Sequence, residues 1–244
     1  MPKLHDLKSM EYVKTSYLRR EEIRHYKKPE VASVPIFKTY PLAERVPLPL
    51  DWSLDEARLS QLLQHRRSKR KFTAAPLTFP AISYMLWASQ GVTASSGAHL
   101  LRTAPSAGAL YPVETYISIQ NVEGLPKGIY HLDIARFELE LLKPGSYGDD
   151  IALACLNQQF LGKAGAIFIW SAMFRRNFCK YGDRGLRYIY MDVGHICQNL
   201  LLAAEANGCG ACPVAAFFDE ELNTILGLDG QQESALYLAG IGSL

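Results

Sequence analysis

The sequence predicts an α+β fold. Its helical and strand patterns come in blocks, with two helices followed by adjacent strands and then by helix, strand, helix, helix and strand. A doubly wound α/β fold would instead show a regular alternation of strands and helices. The chain has 244 residues, 48% of them hydrophobic, which is enough for one large domain or two small ones with a buried core.

Composition narrows the class of protein. The formal net charge is only +2, whereas a protein that binds the phosphates of DNA or RNA usually carries a larger basic excess. The N-terminus has no apolar signal segment, and the most apolar runs are far shorter than the ~20 residues needed to cross a bilayer. The five cysteines are an odd number and do not form the even set expected of a disulfide-bonded domain, which favours a reducing compartment. We therefore expect a soluble cytoplasmic protein with neither nucleic acid nor membrane as a partner.

The first 50 residues differ from the rest. They are polar and rich in charge, and prolines at 41, 47 and 49 disfavour a regular helix. We predict an extended arm over residues 1–50 and one domain over residues 51–244. Residues 53–67 open that domain with leucines at helical spacing, and Ser53 or Asp55 is a candidate N-cap.

The later elements follow from hydrophobic period and from breaker residues. Residues 78–91 predict a second helix, with Pro80 in its first turn and Gly91 as its stop. Strand patterns cover 113–122, 128–142 (including a hairpin), 164–174 (a buried central strand) and 233–242, and helical patterns cover 150–162, 187–208 and 219–228.

The segment HRRSKRKF, residues 65–72, places five cations around one serine. These residues alone leave three interpretations open: a solvated helix end, a nucleic-acid patch or nuclear signal, and a grip for one phosphate. In the last, Arg66 and Arg70 would supply guanidinium forks and Ser68 a neutral donor, on one side of an extended segment. By itself the cluster favours the solvated helix end.

Three further stretches have a functional and an ordinary interpretation. APSAGALYPVE (104–114) is either a loop of small residues that lets the backbone approach a ligand or a tight turn before a strand. CKYGDRGLRY (179–188) contains a Lys–Tyr pair suited to proton transfer, and otherwise is a polar loop. The CxxC spacing in NGCGACPV (207–214) suggests a redox or zinc site, but its context fits neither, and a turn that faces something flat fits better. We predict no metal site.

Taken together and in order, these stretches resemble the nitroreductase superfamily of flavoproteins, and within it the SagB-type dehydrogenases. The matching runs are RRSKRKF, PSAGALYPVE, KYGDRGLRY, DVGHICQNLLLAAEANGCGACPV, LGLDG and ALYLAGIG. The resemblance implies a nitroreductase-like α+β fold with a mainly antiparallel central sheet flanked by helices. It also implies FMN as the cofactor and an intertwined homodimer, in which the arm 1–50 would wrap the partner.

The resemblance further implies roles for individual residues. The cofactor-binding residues would be Arg66, Arg67, Ser68 and Arg70 at the phosphate and ribityl chain, Pro105, Ser106, Gly108 and Leu110 beside the flavin from the partner subunit, and Cys212, Pro213, Val214 and Ala215 along the ring. Lys180 and Tyr181 would be the catalytic pair that moves protons.

The activity implied by the resemblance is that of an FMN-dependent oxidoreductase that transfers a hydride to or from flavin N5. Its substrate would be a small molecule or a peptide, with NAD(P)H as one candidate electron donor. Two alternatives stay open: an azoline-to-azole peptide dehydrogenase, and a flavin-binding subunit of a peptide-modifying complex that has no turnover of its own.

Overall fold

A central sheet with helices on both faces organises the chain. The computed structural model describes residues 8–20, 27, 29–52, 58–96 and 99–244. The helices of this described part are α1 (Lys8–Thr15), α2 (Leu59–His65), α3 (Phe79–Gln90), α4 (Gly148–Ala154), α5 (Phe174–Tyr181), α6 (Gly185–Ala206) and α7 (Asp219–Leu226). The strands are β1 (Glu44–Pro47), β2 (Val92–Ser96), β3 (His99–Arg102), β4 (Val113–Ile119), β5 (Gly128–Asp133), β6 (Glu138–Pro144), β7 (Ala166–Met173), β8 (Cys209–Val214) and β9 (Glu233–Ser243).

Seven of these strands form one sheet in the order β1-β6-β5-β4-β7-β9-β8, and every neighbouring pair is antiparallel. β2 and β3 form a separate antiparallel pair. The predicted α+β class, with a mainly antiparallel sheet flanked by helices, is confirmed. The predicted central strand is β7, which lies between β4 and β9 with its first seven residues buried.

The two faces of the sheet differ in chemistry. One face carries apolar side chains such as Ile117, Phe168 and Trp170, which pack in one cluster with residues of α3 and α6. On the other face, an apolar half packs against α4 and α7. The rest of that face is ionised and buried, and it includes Glu114 and His131.

Local sequence signals set the main helix ends. The Thr78 side chain accepts a hydrogen bond from the Ala81 amide at 3.3 Å, which satisfies one free donor at the start of α3. Pro80 lies in the first turn of α3, where its missing amide costs nothing. The 22 residues of α6 form the long helix expected from 187–208, and Gly208 follows its end with φ 65°.

Two local predictions are wrong. Residues 179–181 belong to α5 and not to a loop. The sequence does not show the apolar pattern of a helix here, because the buried face of α5 includes the charged Arg176, which is buried as an ion pair with Glu114. Residues 209–214 form β8 and not a turn, since β9 supplies its ladder partners and an edge strand tolerates Pro213.

The segment predicted as an arm contributes to the sheet of its own chain. β1 pairs with β6 at one edge, and Lys38 and Tyr40 pack on the ionised face. The division at residue 50 and the wrapping of a partner stay predictions. The helix predicted over 53–67 is described from Leu59, and its candidate caps Ser53 and Asp55 lie outside the described residues.

Candidate functional site

The basic segment leaves the end of α2 and runs beside β8. Ser68 forms a parallel bridge with Ala211, and the Lys69 amide donates to the Ala211 carbonyl oxygen at 2.9 Å. Phe72 fixes the segment further along, because it lies directly over Gly242 of β9, where a Cβ would come within 2.7 Å of its ring. The cations of this segment are therefore held against the edge of the sheet.

Ser68 and Arg66 lie beside β8 and α6, and the Arg70 guanidinium lies 5.9 Å from the centroid of the Phe160 ring. Arg66 lies near the thiol of Cys197 on α6, and Ser68 and Arg70 lie near the thiol of Cys212 on β8. Burial raises the pKa of Cys197 to about 12 and also raises the pKa of Cys212, while the nearby arginines act in the opposite direction. Both thiols are therefore neutral at pH 7, and the arginine charges beside them are not cancelled by thiolates.

The charges of Arg66 and Arg70 have no acidic partner in the described part of the chain: no carboxylate there lies within salt-bridge distance of either guanidinium. Arg66 is half-buried and Arg70 is exposed. Two uncompensated guanidiniums with a serine hydroxyl between them form a donor set suited to a phosphate. Lys69, by contrast, points away to Glu205, with its Nζ 3.4 Å from the carboxylate.

Arg67 is placed differently from its two neighbours. Its guanidinium donates to the carbonyl oxygens of Gln64 and Arg66 at 3.1 and 2.7 Å, so it turns back onto the end of α2. This is the position in which a cation satisfies free carbonyls at a helix C-terminus. The solvated-helix-end interpretation therefore describes Arg67, while its predicted contact with a cofactor stays a prediction.

The loop of small residues is anchored to α6 by a buried carboxylate. Ser106 Oγ donates to Asp192 Oδ2 at 2.6 Å, and the Ala107 amide donates to Asp192 Oδ1 at 3.3 Å. Ser106 Oγ also accepts from the Tyr111 amide at 2.9 Å, which closes the loop on itself. Burial raises the pKa of Asp192, and the hydrogen bonds from Ser106 and Ala107 oppose that rise.

The same loop touches the predicted catalytic pair. Gly108 has φ 65°, and a Cβ added there would lie 2.6 Å from Lys180 Nζ and would also overlap the Tyr181 hydroxyl. Lys180 Nζ lies 5.1 Å from the centroid of the Tyr181 ring, and Tyr188 packs edge-on against that ring with the centroids 4.9 Å apart. Glycine at 108 therefore serves both the left-handed backbone and the close approach to the Lys–Tyr pair.

Tyr181 also borders a cavity. Its volume is about 250 Å³, and its walls are formed by residues 15–19, Pro29 and residues 181–184. Tyr181 lines this cavity, so a small molecule there would lie beside the phenol. The Arg184 guanidinium, also in the wall, donates to the Tyr188 hydroxyl at 2.8 Å.

The remaining predicted residues fall near these two groups of side chains. Pro105 is exposed and Leu110 is half-buried on the loop; Cys212 and Val214 are buried, Pro213 is half-buried, and Ala215 is exposed just beyond β8. The chain thus brings Arg66, Ser68 and Arg70 together with Cys212. It brings the loop together with Lys180 and Tyr181 at a second place, near the N-terminal half of α6.

The CxxC pair does not form a disulfide. All five cysteines are free and buried. Cys209 and Cys212 are three residues apart on β8, so their side chains point to opposite faces of the strand. In the described part of the chain, no group of three or more His, Cys, Asp or Glu residues is placed to hold a metal ion.

Sequence reasoning missed Asp192 and Arg176. Asp192 lies on the buried side of α6 next to Val193, and Arg176 is 3% exposed while its Nη1 donates to the Tyr111 carbonyl oxygen at 2.9 Å. Asp192 could have been found from the sequence, because it is an acidic residue at a position where the pattern of the long helix predicts a buried apolar one. Arg176 gave no comparable signal, because its partners Pro35, Tyr111 and Glu114 are all distant in the chain.

The fold and the site define an α+β protein with two groups of functional side chains beside one long helix. One group is a basic segment suited to binding an anion, and the other is a Lys–Tyr pair. Residues 63–243 match the model of the nitroreductase family, and the chain belongs to this family. A nitroreductase-named protein of Methanocaldococcus jannaschii is 38% identical over 189 residues, which cover 78% of this chain and 92% of that protein. The microcin B17-processing protein McbC of Escherichia coli is 26% identical over 59% of this chain and 54% of its own length.

Solved structures share the fold. A nitroreductase structure from Ralstonia eutropha has a TM-score of 0.71 at 23% identity and covers 87% of this chain and 95% of that one. One from Anabaena variabilis has a TM-score of 0.70 at 24% identity over 91% of this chain and 46% of that one. A chain of the Escherichia coli microcin synthetase McbBCD complex has a TM-score of 0.62 at 21% identity, with 99% of both chains covered.

The chain covers only part of some of these relatives. The chain spans less than half of the Anabaena variabilis structure and 39% of the trifolitoxin-processing protein TfxB of Rhizobium leguminosarum. The structural neighbours include a complex with FMN from Desulfovibrio desulfuricans and an NADPH:FMN oxidoreductase from Vibrio harveyi. Within the described residues, no helix combines the length and apolar character needed to cross a membrane.

Proposed function

We propose that this protein is an FMN-dependent oxidoreductase of the SagB-type branch, which exchanges a hydride between the flavin and a small-molecule or peptide substrate. The observation that carries the proposal is the pair of uncompensated guanidiniums, Arg66 and Arg70, held around Ser68 at the edge of the sheet. This donor set fits the terminal phosphate of FMN. Bound FMN would supply the hydride-transfer chemistry that no amino-acid side chain provides.

The protein's own residues would hold the cofactor and handle the proton. Arg66, Ser68 and Arg70 bind the phosphate, with Arg67 at the rim. Residues 212–215 at the end of β8 line the ring, where buried Cys212 and Val214 exclude water on one side. Tyr181 and Lys180 would handle the proton that accompanies hydride transfer: the protonated form of either group can return a proton to the substrate, and its conjugate base can accept one.

The proposed site is complete only in a homodimer. Residues 105, 106, 108 and 110 approach the flavin from the partner subunit, together with the Lys–Tyr pair that Gly108 touches. The surface of α6 supports this assembly, because Tyr190 and Met191 are 52% and 56% exposed on that helix. On α2, which packs against α6, Leu59 and Leu63 are also exposed. Large apolar side chains on neighbouring helices suit a contact with a second copy.

The test begins with the visible absorption spectrum of the purified protein and chromatography of the compound that heat releases. A yellow protein that yields FMN supports the proposal; a colourless protein that takes up no FMN refutes it. The double variant Arg66→Ala/Arg70→Ala should remain folded and bind FMN at least 100-fold more weakly, which is about the effect of two charge-assisted hydrogen bonds. Arg58→Ala, an exposed cation at the start of the same helix, is the matched control and should bind as wild type does.

A second function rests on the similarity to the microcin processing proteins. The fold match to a chain of the McbBCD complex covers 99% of both chains, which favours a role as a flavin-binding subunit or azoline dehydrogenase in a peptide-modifying complex. Co-purification from the native host separates the two functions. A stable complex with a second protein, and no turnover by the isolated dimer with NAD(P)H and nitro or quinone acceptors, would favour the subunit.

A further inference from the structure

The loop between β3 and β4 has a shape that it could not keep by itself. Gly108, Ala109 and Tyr111 have φ of 65°, 54° and 43°, so two residues with side chains adopt the left-handed conformation within four positions. Such residues are strained in an isolated chain, because the Cβ approaches the following carbonyl oxygen. Contacts from outside the loop must therefore hold it.

Those contacts come from α6 and from α5, the helix that carries the Lys–Tyr pair. From α6, Asp192 accepts from both Ser106 Oγ and the Ala107 amide, and Ser106 Oγ relays the contact to the Tyr111 amide. From α5, the Arg176 guanidinium donates to the Tyr111 carbonyl oxygen. Asp192 is 4% exposed, and its two carboxylate oxygens engage donors at the first two positions of the turn.

The anchored loop in turn limits the space open to the pair. With Gly108 where Asp192 and Ser106 hold it, Lys180 Nζ and the Tyr181 hydroxyl lie against its Cα. Tyr188 packs edge-on against Tyr181. The loop and Tyr188 therefore bound the phenol on two sides, and a shift of the loop would free one of them.

We propose that Asp192 is a positioning residue for Lys180 and Tyr181, acting through the Ser106–Tyr111 turn. The inference rests on the proposed function, in which this pair moves the proton. Asp192 touches neither Lys180 nor Tyr181 in this arrangement. Its effect is to fix the loop whose Gly108 packs against both side chains.

A spectroscopic test reads this geometry without turnover. The protein is labelled with 3-fluorotyrosine, and the resonance of Tyr181 is assigned by its loss in Tyr181→Phe. In Asp192→Ala we expect this resonance to shift and to broaden, because the loop no longer confines the ring. Asp150→Asn, an exposed carboxylate on α4, is the control and should leave the resonance unchanged. An unshifted Tyr181 resonance in folded Asp192→Ala would overturn the inference.

Ser106→Ala keeps the test decisive if Asp192→Ala does not fold. This change removes the hydroxyl that links Asp192 to the Tyr111 amide while the carboxylate stays, and the Tyr181 resonance should shift in the same direction. A Tyr181 resonance that stays at its wild-type position in folded Ser106→Ala would overturn the inference equally.

Kinetics supply the second readout. In Asp192→Ala we expect kcat to fall on the order of 10- to 100-fold with KM nearly unchanged, which is the range for a misplaced catalytic group. A kcat equal to wild type in a flavin-loaded enzyme would overturn the inference and leave the proposed function standing. If the protein binds no FMN, the proposed function is refuted. The shift of the Tyr181 fluorine resonance would still report whether Asp192 positions Tyr181.

Discussion

Neutralising Glu114 should strongly destabilise the fold, because this carboxylate compensates a buried charge. Glu114 Oε1 lies 2.6 Å from Arg176 Nη2, and its Oε2 lies 3.1 Å from His131 Nε2. The side chains of Glu114, Arg176 and His131 are 3%, 2% and 0% exposed, so water cannot replace the lost partner. In Glu114→Gln the shape is kept, but the guanidinium of Arg176 is left buried without its counter-ion.

The expected loss is about 3 kcal/mol in the free energy of unfolding, at the lower end of the ~3–5 kcal/mol typical of breaking a buried ion pair. The lower end applies because Arg176 keeps its hydrogen bonds to the carbonyl oxygens of Pro35 and Tyr111. Urea unfolding followed by circular dichroism measures the change. Glu123→Gln, an exposed carboxylate, is the matched control and should lie within about 0.5 kcal/mol of wild type.

A double-mutant cycle separates the pair from its surroundings. Glu114→Gln/Arg176→Met removes both charges, so it should lose less stability than the sum of the two single variants. The reasoning would be refuted by a loss below about 1 kcal/mol in Glu114→Gln, since the network would then tolerate an unpaired buried guanidinium at little cost.

Three further predictions follow from other contacts. Burial lowers the pKa of His131, but hydrogen bonds to Glu114 and Glu140 outweigh burial and raise it. The contribution of protonated His131 to the free energy of unfolding is therefore complete below the ordinary pKa of 6.5 and is lost as the pH rises through the raised pKa. Urea titrations at stepped pH should show a smaller loss of stability at alkaline pH in His131→Gln than in wild type. Met191→Glu places a charge on the exposed face of α6 and should convert dimer to monomer in sedimentation velocity; a dimer of unchanged affinity would remove this face from the proposed interface. Thr78→Ala should cost about 1 kcal/mol by loss of the α3 cap, whereas Thr78→Ser should cost little; equal stability of the two variants would show that the cap contributes nothing.

Much of the fold was readable from local pattern. The helices α3, α6 and α7 follow from their hydrophobic period and from the glycines at or just beyond their ends, and the central strand β7 follows from a short continuous apolar run. α5 and β8 were not readable in this way. The buried face of α5 carries a charged residue, and β8 is rich in Gly, Pro and Cys and owes its conformation to β9.

In the candidate site too, some features follow from the sequence and others from the tertiary structure. The sequence by itself determined which residue types were available: a cluster of cations around Ser68, a run of small residues before a strand, and a Lys–Tyr pair. Only the tertiary structure decided that Arg66 and Arg70 lie near the thiols of α6 and β8 while Arg67 caps a helix. Only it placed Gly108 against Lys180 and Tyr181 with Asp192 behind the loop. Local sequence sets backbone preference and side-chain chemistry, whereas the direction of a charge and the partner of a buried carboxylate depend on elements that are distant in the chain and meet only when the sheet is formed.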